Sequence, residues 1–152
     1  MTIEVTYEES VEVAAPPEKA FDYRLDFMNL ADYMPRVKNV RRVDGGTAPG
    51  VGADYRFDLT MPEAPGPMEA FIRILEVDRP NRIVFDTGSV DTGMGGTETS
   101  VFTPLPGGKT RVDFSIVMSL PDEAKDGVEF LKKSGQEAFR LELDELAKVF
   151  ET

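Results

Sequence analysis

Two residue types that carry much of protein chemistry are missing from this chain: among its 152 residues there is no cysteine and no histidine. Without cysteine there is no disulfide framework and no thiolate metal site, and a cytoplasmic setting is the expectation. Without histidine, tight zinc, copper or haem ligation loses its commonest donor, so no metal and no cofactor is expected. Histidine-based triads and general bases are excluded as well. Any acid–base chemistry falls to Asp, Glu, Tyr, Lys or bound water. Long apolar runs are also lacking: nothing approaches the roughly 18 residues of a membrane helix. The opening MTIEVTYEES has neither the basic start nor the apolar stretch of a secretory signal, so no membrane insertion is expected. Positive charge is short too. Seventeen Lys and Arg face 28 Asp and Glu, a formal net charge of −11. A field of that sign repels phosphate backbones and anionic lipid, and nucleic acid is not expected as a partner.

What remains is ordinary soluble material. With 41% hydrophobic and 30% charged residues, the chain reads as one domain over residues 1–152, a monomer or weak dimer. Apolar residues fall on odd positions from Ile3 to Val13, with Glu9 breaking the stripe, which predicts a long strand covered on one face. Pro16 and Pro17 end it and suit a first helical turn, after which Phe21 and Leu25 share a face. Asp26 is the predicted N-cap of a second short helix carrying Phe27, Leu30, Ala31 and Met34, stopped by Pro35. Strands are predicted near 37–43, 53–61, 68–77, 82–87, 96–103 and 110–120. The breaks DGGTAPG, PEAPGP, DRPN, VDTGMGG and PLPGGK are rich in turn formers and too short for helical crossovers, which predicts antiparallel pairing.

Two strands alternate clearly. Ala53, Tyr55, Phe57, Leu59 and Met61 form one stripe, and Val112, Phe114, Ile116 and Met118 another. In MEAFIRILEV both parities are apolar, a pattern that a bulge accommodates. In GTETSVFT neither side is decisively apolar, so its inward face stays open. The tail from Asp122 reads as one long helix, with an Asp126/Glu129 capping box and an Asp144/Lys148 ion pair expected. Its apolar face holds Val128, Leu131, Gly135, Ala138, Phe139, Leu143, Leu146, Val149 and Phe150.

The order is one strand, two short helices, six antiparallel strands and one long helix. With the phrases VEVAAPPEKAFDYRLDFMNLADYMPRVKNV, ILEVDRPNRIVF and LPGGKTRVDFSIVMSL, it resembles the START-like, or SRPBCC, superfamily. That group includes polyketide cyclases and aromatases, birch-pollen-allergen-like proteins and lipid-transfer domains. The resemblance implies an α+β helix-grip fold: a curved seven-stranded antiparallel sheet wrapped around the long C-terminal helix, with a cavity between them. It also implies that MPEAPGP and SVDTGMGG lie near the cavity mouth.

Within that frame the candidate ligand-binding residues are Tyr55, Phe57, Met61, Thr99, Phe114, Met118, Gly135, Phe139 and Glu142. Glu142 is a carboxylate inside an apolar helical face, which is costly unless paired: it is functional, or matched by a sheet residue such as an Arg, or the helix end protrudes and leaves it in solvent. Gly135 in mid-helix admits a close approach, by the sheet or by a ligand. The aromatic stripe is either core or cavity wall. Thr97, Glu98, Thr99 and Ser100 offer polar groups from one strand.

Four readings follow. The leading one is a carrier of a hydrophobic small molecule, a polyketide, lipid or comparable metabolite. The second is a polyketide cyclase or aromatase working through Tyr55, Thr99 and Glu142 without metal or cofactor. The third, a self-sacrificing enediyne-resistance protein, would use Gly93, Gly95, Gly96 or Gly135 as targets. The fourth is a protein-interaction module with an exposed apolar patch and no cavity.

Overall fold

The two prolines after the first strand set the architecture. A computed structural model describes residues 2–60, 66–92 and 95–151, with all side chains except that of residue 124. Strand β1 (Thr2–Val13) stops at Pro16, whose carbonyl accepts from the amides of Lys19 and Ala20 (3.1 Å each) and so starts α1 (Pro17–Leu25). Asp26 leaves the helix with an extended backbone, and its carboxylate takes the Met28 amide at 3.1 Å. That bond caps a single tight turn (Phe27–Asn29) leading into α2 (Leu30–Tyr33).

Six strands follow: β2 (Val37–Arg42), β3 (Asp54–Leu59), β4 (Met68–Asp78), β5 (Arg82–Ser89), β6 (Gly95–Leu105) and β7 (Lys109–Pro121). They join β1 in one antiparallel sheet of order β1-β7-β6-β5-β4-β3-β2. Every consecutive pair after β2 is a hairpin; only β1 pairs at long range, with Ile3 opposite Leu120 and Tyr7 opposite Ile116. At the β6–β7 turn Gly107 and Gly108 both take positive φ, 81° and 74°, as a tight hairpin turn requires. The mixed parity of β4 has the expected cause: the register shifts between Ile74 and Glu76, and Leu75 points outward.

The chain then makes a short 3-10 segment (Asp122–Gly127) and enters α3 (Val128–Val149), which packs chiefly on β1. The capping box does not form. Gly127 is the N-cap and no side chain caps the helix, because the 3-10 turn takes up Asp126 and leaves it one residue short of that position. The Asp144/Lys148 pair is also replaced: Asp144 accepts from Arg140 (2.9 Å) and Lys148 bonds Glu145 (2.8 Å).

One continuous core lies between the sheet and the helices. Phe27 packs edge-on against Tyr55 and Phe85, and Phe21 against Phe102, so the short helices cover the middle strands. Phe139 of α3 meets Tyr7 and Phe114 over β1 and β7. The C-terminal half of α3 buries Phe139, Glu142, Leu143 and Leu146. Its N-terminal half does not close down: Phe130 and Leu131 remain exposed. The expected helical face is therefore half used, because α3 overhangs the sheet at its start. This is the helix-grip arrangement, and the overhang leaves the space described next.

Candidate functional site

A void of about 260 Å³ opens under the stretch of α3 from Leu131 to Glu142. Its walls come from distant parts of the chain: Tyr7 of β1, Leu59 of β3, Met118 of β7, the α2–β2 link at Met34, Pro35 and Arg36, and a face of α3. That face carries Leu131, Ser134, Gly135, Ala138, Leu141 and Glu142. Arg36, Leu131 and Leu141 are exposed and mark the entrance; Tyr7 and Glu142 are buried and mark the far end.

Glu142 is held from behind by a cluster that sequence reasoning missed at its centre. Arg24 of α1 is 1% exposed. Its Nη1 donates to Glu142 Oε2 at 2.5 Å and to the Tyr33 hydroxyl at 2.9 Å, while Nη2 donates to Glu98 Oε2 at 2.6 Å. The guanidinium stacks over Phe114 at 4.1 Å and Phe27 at 4.9 Å. The partner of Glu142 is thus an arginine from a helix, not from the sheet. Arg24 left a signal in the sequence: it follows Ala20 and Phe21 by one turn, the lone charge on the buried face of α1.

One buried cation faces two buried carboxyls, and electrostatics divides the labour among them. Burial works against the Arg24 cation, but Tyr33, Glu142 and Glu98 outweigh it and hold the guanidinium charged beyond its ordinary range. Burial pushes the Glu98 carboxyl up to about 8 against the pull of Arg24, with Glu142 adding to the push. Tyr7 is pushed up to about 12, first by burial and then by the charges of Glu98 and Glu142, so its hydroxyl stays a hydrogen-bond donor. Its described partner is only the Met118 sulfur at 3.9 Å, a weak acceptor.

The candidate residues separate into those at the void and those away from it. Met118, Gly135 and Glu142 line it. Tyr55, Phe57, Phe114 and Phe139 are buried in the aromatic core and lie outside its lining, because rings from α1, α2 and the turn between them fill the middle of the sheet. The open face of β6 resolves with Glu98, Ser100 and Phe102 inward, which turns Thr99 to the other side of the sheet; neither Thr99 nor Glu98 lines the void, and Glu98 lies behind it on Arg24. Met61 lies outside the described residues, as does Gly93. Gly95 and Gly96 are not loop residues but belong to β6, where a Cβ would strike the backbone of Thr87 or Val117. Gly135 serves both readings at once. A side chain there would overlap the Tyr7 ring, so the glycine lets Tyr7 reach the helix, and its backbone also borders the void.

Among the described residues no helix is long and apolar enough to cross a membrane, and no acidic cluster of metal-binding form occurs. Comparison with known proteins returns a family described as polyketide cyclase / dehydrase and lipid transport, whose profile matches residues 4–151. Among solved structures, the Zhui aromatase/cyclase from Streptomyces superposes with a TM-score of 0.76 at 16% identity, over 96% of this chain and 93% of that one. Truncated norcoclaurine synthase from Thalictrum flavum gives 0.73 at 18% identity, over 97% and 94%. A Staphylococcus aureus protein of unknown function gives 0.78 at 12% identity, over 98% and 94%. No curated protein sequence matches significantly.

Proposed function

The chain belongs to the polyketide cyclase / dehydrase and lipid transport family, and from that membership we propose that it binds a small hydrophobic metabolite under the overhang of α3. The observation that carries this reading is the void itself: apolar side chains around about 260 Å³, with one buried carboxylate at the inner end. Binding pockets combine these features, a mostly apolar wall and a few placed polar groups. The volume lies just below the usual range of about 300–1,000 Å³. It suits a guest of one or two rings, with a hydroxyl or carbonyl turned toward Tyr7, and not a long polyketide or a diacyl lipid. A mostly apolar wall also favours entry of an apolar body, since each buried CH₂ contributes about 0.8 kcal/mol.

Thermal melts with naphthol and with decanoic acid test this. A guest at about a hundred times its dissociation constant adds about 2.7 kcal/mol of stability, several degrees for a domain of this size. Ala138→Phe, which fills the void from the α3 face, should abolish the shift. No shift with any ring-bearing probe, or an undiminished one in Ala138→Phe, would sink the proposal.

A second reading, cyclisation, draws on one specific feature: Glu142 and the Tyr7 hydroxyl border the same void. The carboxylate would take a proton from the carbon between two carbonyls of a poly-β-ketone. The Tyr7 hydroxyl would donate a hydrogen bond to the carbonyl oxygen on which charge develops. Consumption of a poly-β-ketone mimic, lost in Glu142→Gln with binding retained, would favour this reading over a carrier.

A further inference from the structure

The charges behind the cavity do not balance. Arg24, Glu98 and Glu142 are 1%, 5% and 6% exposed, and one guanidinium bonds both carboxyls. With a proton on Glu98 the cluster is neutral. Without it, one negative charge is surplus in a setting where an uncompensated ion is heavily penalised.

Among the described residues, the groups around Glu98 offer no second cation. Arg24 comes from α1, Tyr33 from α2 through Arg24, Glu142 from α3 and Tyr7 from β1. Across the sheet Glu98 sits between Phe85 of β5 and Ile116 of β7, neither of which ionises. Either a proton compensates the surplus charge, or something positive in the adjacent void does.

The void gives access to one place from which a cation can act. Glu142 lines it, whereas Arg24 and Glu98 do not. The Arg24 bond uses Glu142 Oε2, and no described protein group bonds Oε1. The Tyr7 ring stands beside it as an aromatic wall, a surface that attracts ammonium groups. Arg36 is at the exposed entrance, where solvent screens it. The net charge of −11 draws cations to the protein from a distance.

We infer that the inner end of the cavity takes the ammonium group of an amine-bearing hydrophobic guest, and that its arrival exchanges for the proton on Glu98. The guest binds as the ammonium ion through Glu142, Glu98 releases its proton to solvent, and the buried cluster with its guest stays neutral. This narrows the binding function proposed above, and rests on it, by fixing one substituent of the guest.

The elevated proton affinity of Glu98 agrees with this exchange. Below about pH 8 the guest must displace a proton, so amine affinity should rise about tenfold per pH unit between about pH 6 and about pH 8. A neutral guest of the same shape should show no such slope.

Phenethylamine, phenethyl alcohol and ethylbenzene form a matched set that fits the void, and isothermal titration of the intact protein reads all three. The amine should bind tighter than the alcohol at about pH 8, and at about pH 6.5, where the free protein holds the Glu98 proton, it should release close to one proton, seen in buffers of different ionisation enthalpy. Glu98→Gln keeps the shape of the protonated carboxyl and should fold. It should remove the pH slope and the proton release for the amine while leaving the alcohol unchanged. Glu142→Gln should weaken the amine more than tenfold and the alcohol little. If the alcohol and ethylbenzene bind but the amine shows no advantage or no slope, the amine inference is overturned and the hydrophobic-carrier reading stands. If none of the three binds, both fall.

Discussion

Glu98 shows what burial does to a single side chain. Its carboxyl keeps a proton up to about pH 8, well above the ordinary value of 4.5. Between those two values the folded chain holds one more proton than the unfolded chain, so stability falls as pH rises. The contribution is fully present below the lower value and gone above the upper one. In Glu98→Gln that slope should vanish, and urea midpoints measured from about pH 5 to about pH 8.5 should run flatter than in the parent. Curves of equal slope would show that Glu98 is already ionised at neutral pH. Asp22, held low by its hydrogen bonds from Arg79, acts in the opposite sense and only under acid conditions.

At the scale of elements, α3 carries two faces with different tasks. One face from Phe139 onward packs into the sheet through Phe139, Leu143 and Leu146, and another, from Leu131 to Glu142, roofs a void. Gly135 marks the join. Alanine there would gain about 1 kcal/mol of helix propensity, but its Cβ would overlap the ring and hydroxyl of Tyr7. Overpacking of a well-ordered contact costs about 1–3 kcal/mol, so the clash should win. Gly135→Ala alone should lower the denaturation midpoint, and adding Tyr7→Leu should restore it, a coupling that a double-mutant cycle measures. Stabilisation by the single change would show that Tyr7 does not lie against the helix. The same residue pair explains why the aromatic stripe became core. With Tyr7, Phe114 and Phe139 packed edge-to-face or tilted over β1 and β7, and Phe27 against Tyr55 and Phe85, the centre of the sheet has no room left.

For the molecule as a whole, the dominant long-range property is negative charge. Neither single- nor double-stranded DNA, nor vesicles containing phosphatidylserine, should be retained even at about 50 mM salt, where attraction to any basic patch would be strongest. Fluorescence anisotropy and vesicle sedimentation check this, and salt-sensitive retention would reveal a basic surface that outweighs the net charge. The strands were legible because their side chains alternate and their turns are punctuated by Gly and Pro; Ala53, Tyr55 and Phe57 point inward as the period of two demands. The short helices were legible from Pro17 and Asp26, since a fixed φ and a capping carboxylate act within one turn. The site was legible only in fragments. Glu142 stood out as a charge on an apolar face, and Gly135 as a gap in a helix, but nothing local joined either to Arg24, 118 residues from Glu142.

Local physics therefore determined the element order, the antiparallel pairing and the likeness to a family, because periodicity, capping and turn chemistry act over a few residues. Where α3 stops touching the sheet, which face of β6 turns inward and which carboxyl keeps the proton were decided by tertiary structure alone. Each depends on how distant surfaces meet, on the overhang of a helix, a shared arginine and the low dielectric between them. None of these has a signature within one stretch of chain.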